Sequence, residues 1–213
     1  DVFTPLIQKI EQLSGLSYTA TADKNDVAMR VIADHVRAVS FAIADGQLPS
    51  SSGAGYVIRR ILRRAVRYGY SFLHFKTSFI HQVFEVLEKQ MGGAFPELSK
   101  NKTLIQSVIR EEEESFLRTL EKGIELLDNV IQKATGSEIS GTIAFELYDT
   151  FGFPIDLTQL IAGENGKSIN IAEFETQLQA QKERSRAATK LETDDWVNLI
   201  DGETSFVGYD EME

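Results

Sequence analysis

Five arginines in residues 55–70, GYVIRRILRRAVRYGY, are the side chains of this sequence with the clearest chemistry. They are Arg59, Arg60, Arg63, Arg64 and Arg67. At about 100° per residue they fall on one side of a helix, with no Asp or Glu among them. The opposite side is apolar and consists of Val57, Ile58, Ile61, Leu62, Ala65 and Val66. Because guanidinium groups bind phosphate in a bidentate manner, this arginine face predicts contacts with nucleic-acid phosphates, while the apolar side would enter a core.

Pairing with carboxylates is a second interpretation of the arginine face. The chain has a formal net charge of −10, and residues 1–90 contain 11 Lys and Arg against 8 Asp and Glu, whereas residues 91–213 contain 11 against 24. The acidic second half, or an acidic partner protein, would neutralise arginines that otherwise repel one another at i,i+4 spacing. Residue chemistry alone leaves two classes open, a nucleic-acid-binding protein and a helical protein-interaction scaffold.

Other reactive side chains are scarce in this sequence. Cysteine is absent, which excludes disulfides, thiol catalysis and Cys-ligated zinc, and the three histidines are too scattered to indicate a metal site. The acidic run EEEE at 111–114 is interpreted as a solvated helix face. The sequence contains no apolar run long enough to cross a membrane and shows no signal-peptide pattern, so a cytoplasmic location is expected.

The elements that would position these side chains are mainly helices. Apolar periodicity and turn signals predict helices over residues 2–13, 27–45, 55–69, 77–91, 98–134, 142–148, 156–162 and 171–188. Asp26 and Thr77 are candidate N-caps, and Gly152 with Pro154 would stop the helix at 142–148. The expected fold is therefore mainly α, an irregular multi-helix bundle with a truncated β start at the C-terminus.

Breaks in the pattern divide the chain into three predicted parts. Residues 1–91 would form a first helical subdomain that contains the arginine face, and GGAFP at 92–96 marks its end. Residues 92–190 would form a second, acidic helical subdomain. Residues 191–213 change in character and are interpreted as a linker and the start of a β domain.

Long segments of the sequence resemble alanyl-tRNA synthetases. The resemblance is carried by RVIADHVRAVSFAIADGQLPSSSGAGYVIRRILRRAVRYGY at 30–70 and by FELYDTFGFPIDLT at 145–158. DVFTPLIQKIEQLSG at the beginning and ETSFVGYDE near the end are also similar. These matches cover nearly the whole chain and imply the helical tRNA-recognition region alone, with the start of the family's small β-barrel at 191–213.

The resemblance also implies which residues contact tRNA. The family reads a G·U wobble pair in the acceptor stem with an Asp and an Asn. The Asp position is Asp149 in LYDTFGFP, and a carboxylate can accept a hydrogen bond from the guanine amino group in the minor groove. The Asn position is Ser51 in PSSSGAGY, a shorter side chain with fewer possible contacts, and the family's usual Arg before Gly-Tyr is Ala54 here. The arginine face would hold phosphates without reading sequence.

The remaining implications concern the whole enzyme. It would ligate alanine to tRNA(Ala), using ATP and Mg²⁺ in a catalytic domain, with Zn²⁺ in an editing domain, and this sequence resembles neither domain. The chain alone is therefore expected to contain no catalytic residue and no cofactor and to be inactive in aminoacylation. We expect it to bind the acceptor stem of tRNA(Ala), not DNA or a membrane, and to be monomeric.

Overall fold

A computed structural model of the chain describes residues 2–134 and 136–189. Within these residues the fold consists of nine helices and two short strands, so the prediction of a mainly α bundle is confirmed. In chain order the elements are α1 (Thr4–Ser14), α2 (Lys24–Ala44), α3 (Gly53–Phe72), α4 (Ile80–Met91), α5 (Pro96–Lys100), α6 (Lys102–Lys133), β1 (Glu138–Ile139), α7 (Gly141–Phe151), α8 (Ile155–Glu164), β2 (Ser168–Ile169) and α9 (Ile171–Thr189). The predicted β start at 191–213 lies outside the described residues.

The N-terminus of α2 corrects one predicted cap. Asp23, not Asp26, is the N-cap, and its carboxylate accepts a hydrogen bond from the backbone N–H of Asn25. Asp26 lies inside the helix and is buried, where its carboxylate accepts hydrogen bonds from Thr19 and Thr21. These bonds, led by the backbone N–H of Thr21, lower the pKa of Asp26 to about 2. Asp26 therefore stabilises the loop before α2 in its charged form.

The predicted helix over 98–134 is interrupted. The chain bends at Asn101, whose backbone N–H donates to the carbonyls of Glu97 and Ser99, and whose side-chain amide donates to the carbonyl of Ala44 at 3.0 Å. The side-chain contact connects the start of α6 to the end of α2. The 32-residue helix α6 then runs along the bundle. Sequence periodicity did not reveal the break because the buried apolar residues Leu98, Ile105 and Ile109 keep helical spacing across it.

A two-stranded parallel sheet pairs the segment between α6 and α7 with the segment between α8 and α9. The sequence pattern did not predict either segment as a strand. Glu138 and Ile139 of β1 pair with Ser168 and Ile169 of β2. β1 lies between the predicted helices at 98–134 and 142–148, where the sequence pattern predicts no strand. Strands of only two residues are too short to show alternation in the sequence, so tertiary contacts decide their pairing.

The turn between α7 and α8 follows the expected chemistry. Gly152 adopts a left-handed conformation, with φ of 69°, and its N–H donates to the carbonyl of Leu147. Pro154 is the N-cap of α8. Helix α7 therefore ends where Gly152 and Pro154 predicted a stop. This turn positions the last residues of α7 beside α3.

One contiguous apolar cluster connects the helices. It includes buried residues of both predicted helical subdomains, for example Ile32 and Leu62 in the first and Phe116 and Leu147 in the second. Helix α6 contacts α3, α4 and α7. The division at residue 91 remains a prediction. Among the described residues, none of the helices is both long enough and apolar enough to span a bilayer.

Candidate nucleic-acid interface

The buried and exposed sides of helix α3 differ in part from the two faces that the sequence predicts. Ile58, Leu62, Ala65 and Val66 are buried as expected, but Val57 is 50% exposed. Arg67, expected on the polar side, is only 4% exposed. The reason is that α3 is covered on a second side, where α6 and α8 lie against the arginines.

Two of the arginines converge on one carboxylate of α6. Arg59 donates to Glu112 through both Nε, at 3.0 Å, and Nη2, at 2.6 Å. Nη2 of Arg63 lies 3.8 Å from the same carboxylate, while its Nη1 donates to the carbonyl oxygen of Gly152. Burial lowers the pKa of Arg63 below its ordinary value, and the nearby Glu112 partly opposes this shift. The two guanidinium groups thus hold a single negative charge between them.

Two further arginines pair with α8. Arg67 makes a bidentate contact with Glu164, at 3.1 and 2.6 Å. Arg60 lies 2.8 Å from Asp156, an ion pair whose angles fall outside hydrogen-bond geometry. For these residues the acidic second half of the chain supplies the carboxylates, as the second interpretation of the arginine face anticipated.

Arg64 differs from the other four arginines. It forms no ion pair or hydrogen bond within residues 2–134 and 136–189, and its guanidinium carbon lies 5.9 Å from the centre of the Tyr68 ring. Its charge also acts on His35 of α2, whose pKa is lowered chiefly by burial and to a smaller extent by Arg64. Arg64 is therefore half-buried but available to an external anion.

The two residues predicted to read bases line the same cleft. This cleft, of about 240 Å³, is lined by Ser51, Tyr56, Arg59, Arg63, Tyr148, Asp149, Gly152, Pro154 and Gln181. Ser51 lies in the loop before α3, and Asp149 lies in the last turn of α7. The fold therefore brings both positions to one concave surface with two cationic side chains in its wall. We call this surface the recognition cleft.

Asp149 is exposed and is oriented by one neighbour. Its Oδ1 accepts a hydrogen bond from Nε2 of Gln181 at 3.0 Å. Gln181 belongs to α9, and sequence reasoning missed it because a glutamine on a polar helix carries no distinguishing pattern. The second oxygen of Asp149 has no partner within the described residues and remains free to accept.

Contacts from α3 and α6 fix the end of α7 that carries Asp149. The side chain of Thr119 donates to the carbonyl of Phe151 at 2.8 Å, and Arg63 donates to the carbonyl of Gly152. A Cβ on Gly152 would lie 2.6 Å from Nη1 of Arg63 and would displace that guanidinium group, and the φ of Gly152 independently favours glycine. The shape of the cleft is therefore stabilised by hydrogen bonds from side chains to backbone carbonyls as well as by ion pairs.

The prediction that the acidic run at 111–114 is a solvated face is wrong for most of the run, because only Glu111 is both exposed and without a partner among the described residues. Glu112 binds Arg59, and Glu114 accepts a hydrogen bond from Ser78 at 3.0 Å.

Glu113 is fully buried and accepts hydrogen bonds from the backbone N–H groups of Phe79 and Ile80, at 3.0 and 3.1 Å. It therefore caps α4, in place of the predicted Thr77. Burial raises the pKa of Glu113 to about 8 despite these two donors.

The whole chain, residues 1–213, matches the family model described as tRNA synthetases class II (A). This chain belongs to that family. Within it, the chain is 58% identical to alanine–tRNA ligases of Bacteroides fragilis and Christiangramia forsetii, and the matches cover all of this chain and 25% and 24% of those proteins. The alanine–tRNA ligase of Cytophaga hutchinsonii is 51% identical over the same extent. The resemblance to alanyl-tRNA synthetases is thus confirmed, and the chain spans about a quarter of the length of these relatives.

Proposed function

We propose that this chain recognises the acceptor stem of tRNA(Ala) as part of an alanine–tRNA ligase. The observation that carries the proposal is the convergence of Ser51 and Asp149 on one cleft whose wall contains Arg59 and Arg63. Such a site combines hydrogen-bonding groups for base edges with cations for phosphates, the two kinds of contact that nucleic-acid recognition requires.

In this proposal Asp149 reads the wobble pair. Its free oxygen accepts a hydrogen bond from the guanine amino group, the donor that the minor groove presents. The bond from Gln181 holds the carboxylate toward the cleft. Ser51 makes a second, weaker contact, because a hydroxyl has fewer donors and acceptors than the amide of the family's Asn. Discrimination therefore depends mainly on Asp149.

Phosphate contacts are divided among the arginines according to their partners. Arg64 has no ion-pair or hydrogen-bond partner among the described residues, and Arg60 is paired with Asp156 but keeps 37% of its side chain exposed, so these two are the arginines most accessible to a phosphate. Arg59 and Arg63 line the cleft but already hold Glu112. A phosphate role for Arg67 would require the release of Glu164, so it remains a prediction that depends on a rearrangement.

Catalysis belongs to other parts of the proposed enzyme. The relatives are alanine–tRNA ligases of about four times this length, and ATP, Mg²⁺ and Zn²⁺ would be bound by domains that this sequence does not resemble. Among the residues that the structure describes, no cluster of His, Asp and Glu is arranged to hold a metal ion. We expect this chain alone to show no alanine-dependent pyrophosphate exchange. A cytoplasmic location is part of the same proposal.

Binding of acceptor-stem RNA hairpins at two salt concentrations tests the phosphate contacts. Affinity should fall as salt rises, and removal of the outward charge in Arg60→Gln and Arg64→Gln should make the salt dependence shallower by about one unit of slope for each arginine. Arg118→Gln removes an exposed cation on α6 that has no partner in the described part of the chain, and it is the matched control. Equal effects of all three variants would contradict a directed phosphate site.

Discrimination between a wobble and a Watson–Crick hairpin tests the base contact. Asp149→Asn preserves shape but removes the charged acceptor, so the preference for the wobble hairpin should fall by roughly fivefold to a hundredfold. Glu146→Gln removes a charge from an exposed side chain of the same helix, one without a partner in residues 2–134 and 136–189, and should leave the preference unchanged. An Asp149→Asn variant that loses affinity for both hairpins equally would show that Asp149 does not read the pair.

A helical protein-interaction scaffold is the second candidate function. It is favoured by the ion pairs that occupy Arg59, Arg60 and Arg67, since a cationic face engaged within the protein has less capacity for RNA. Acceptor-stem affinity that is absent, or that does not change with salt, would favour this alternative.

A further inference from the structure

Glu112 occupies a position in which two guanidinium groups meet. Arg59 contacts both of its oxygens, at 3.0 and 2.6 Å, and Arg63 approaches the same carboxylate at 3.8 Å. Both arginines line the recognition cleft. A fork formed by the Nε and Nη2 groups of an arginine binds phosphate oxygens with the same geometry as carboxylate oxygens. The Glu112 carboxylate thus occupies donors that suit an RNA phosphate.

The attachment of Glu112 distinguishes it from its neighbour in the sequence. Glu113 is held by two backbone N–H groups and is fully buried. Glu112 receives hydrogen bonds only from Arg59 within the part of the chain that the structure describes, and its side chain is 18% exposed. Its release would therefore leave no backbone donor unsatisfied, and the freed carboxylate would have a short path to water.

The charges near Arg59 and Arg63 also suit an exchange of anions. The two guanidinium groups carry two positive charges, and Glu112 supplies one negative charge. A phosphodiester carries the same single negative charge, so replacing the carboxylate by a backbone phosphate leaves the local balance unchanged. The other two pairs differ, because Arg60 and Arg67 lie outside the lining of the cleft and their carboxylates belong to α8.

We infer that Glu112 is an internal competitor for RNA phosphate at the recognition cleft and thereby limits sequence-independent binding. A phosphate enters only by displacing Glu112 from Arg59 and Arg63, so these two arginines add less to affinity than two free arginines would. The inference rests on the proposed function, since it concerns the same RNA ligand. Its consequence is that preference among acceptor stems depends more on the base-reading groups, Asp149 and Ser51.

The test uses the 213-residue chain and acceptor-stem RNA hairpins with a wobble or a Watson–Crick pair. Glu112→Gln removes the competing charge but keeps the side-chain shape and an oxygen that can accept from Arg59. We expect tighter binding at low salt and a salt dependence steeper by about one to two units of slope, one for each arginine released. The gain should be equal for the two hairpins, because phosphate contacts carry no sequence information.

Two further variants separate this role from a structural one. Glu111→Gln makes the same charge change at the exposed neighbour and should leave the slope at the wild-type value. Glu112→Asp keeps the competing charge on a shorter side chain and should also keep the wild-type slope. Thermal unfolding of each variant, followed by circular dichroism, checks that it is folded under the binding conditions.

The possible outcomes are distinguishable from failure of the proposed function. A wild-type chain that binds neither hairpin would overturn the proposed function and this inference with it. Salt-dependent binding by the wild type, with Glu112→Gln matching Glu111→Gln in slope and affinity, would overturn the inference alone. Weaker binding by Glu112→Gln with an unchanged slope would show that Glu112 supports the structure of the cleft and does not compete with phosphate.

Discussion

At the scale of single residues, three carboxylates of this fold differ because their hydrogen-bond donors differ. Asp149 receives one bond from a side-chain amide at the surface and keeps an oxygen free. Glu112 is held by a guanidinium group. Glu113 is held by two backbone N–H groups in the interior. The open oxygen of Asp149 suits base recognition. The guanidinium-bound carboxylate of Glu112 suits exchange with a phosphate, and the buried carboxyl group of Glu113 fixes the start of α4.

Glu113 should make the stability of the fold depend on pH. Its folded-state pKa of about 8 lies above its ordinary value of 4.5, so the folded chain retains a proton that the unfolded chain releases. The stabilising contribution is therefore complete below about pH 4.5 and is lost as the pH rises to about 8, at no more than about 1.4 kcal/mol per pH unit. Chemical denaturation between pH 5 and 8 measures this slope.

Glu113→Gln removes the titration and should flatten that part of the slope. Because the amide can accept only one of the two backbone N–H groups, the variant should be less stable than the wild type at pH 5, by about 1–3 kcal/mol. The difference should shrink toward pH 8. Glu111→Gln serves as the exposed control, and a Glu113→Gln variant with the wild-type slope would show that the carboxyl group does not retain its proton in the folded state.

At the scale of elements, close contact between α6 and the turn after α7 determines where Asp149 lies. Gly123 of α6 faces the ring of Phe153, and a Cβ at this position would lie 2.4 Å from Cε2 of that ring. Phe153 is fully buried and also packs against Phe116, with ring centroids 5.6 Å apart. Gly123 therefore provides the space that lets the turn approach α6.

Gly123→Ala should destabilise the protein even though alanine is the better helix former. Overpacking against Phe153 should cost about 1–3 kcal/mol and helix propensity should return about 1 kcal/mol, so the net loss of stability should be up to about 2 kcal/mol. The matched control is Gly163→Ala in α8, where a Cβ would meet nothing within 4 Å. This control should gain up to about 1 kcal/mol. The free energy of unfolding in urea measures both, and equal stabilisation of the two variants would contradict the close approach.

At the scale of the whole molecule, ion pairs and the apolar cluster connect the basic first part of the chain to the acidic second part. Arg59 pairs with α6, while Arg60 and Arg67 pair with α8. The same helices share a contiguous cluster of buried apolar side chains. Elements joined in this way are expected to unfold together.

Cooperative unfolding can be measured by hydrogen exchange. Gly123→Ala lies in the second predicted subdomain, whereas the most protected amides of α2 lie in the first. If the described helices form one cooperative unit, the variant should lower the protection of those α2 amides by the same amount as global stability, up to about 2 kcal/mol. Unchanged protection in α2 would instead support independent subdomains with a boundary near residue 91.

The sequence by itself determined most of the helices and the positions of the candidate contact residues. Apolar periodicity predicted the buried side of α3, because residues that face a core must recur with the helical period. The long resemblance identified Asp149 and Ser51, which then proved to line one cleft. The stop after α7 followed from Gly152 and Pro154, whose backbone preferences are local.

Only the tertiary structure decided which groups the arginines contact. Periodicity states that Arg59, Arg63 and Arg67 lie away from the core face of α3, but it does not state which helix covers them. That depends on how α6 and α8 pack, and packing brings Glu112 and Glu164 to the guanidinium groups across long separations in sequence. For the same reason EEEE at 111–114 was misinterpreted, since adjacent glutamates on a helix point in different directions and meet different neighbours.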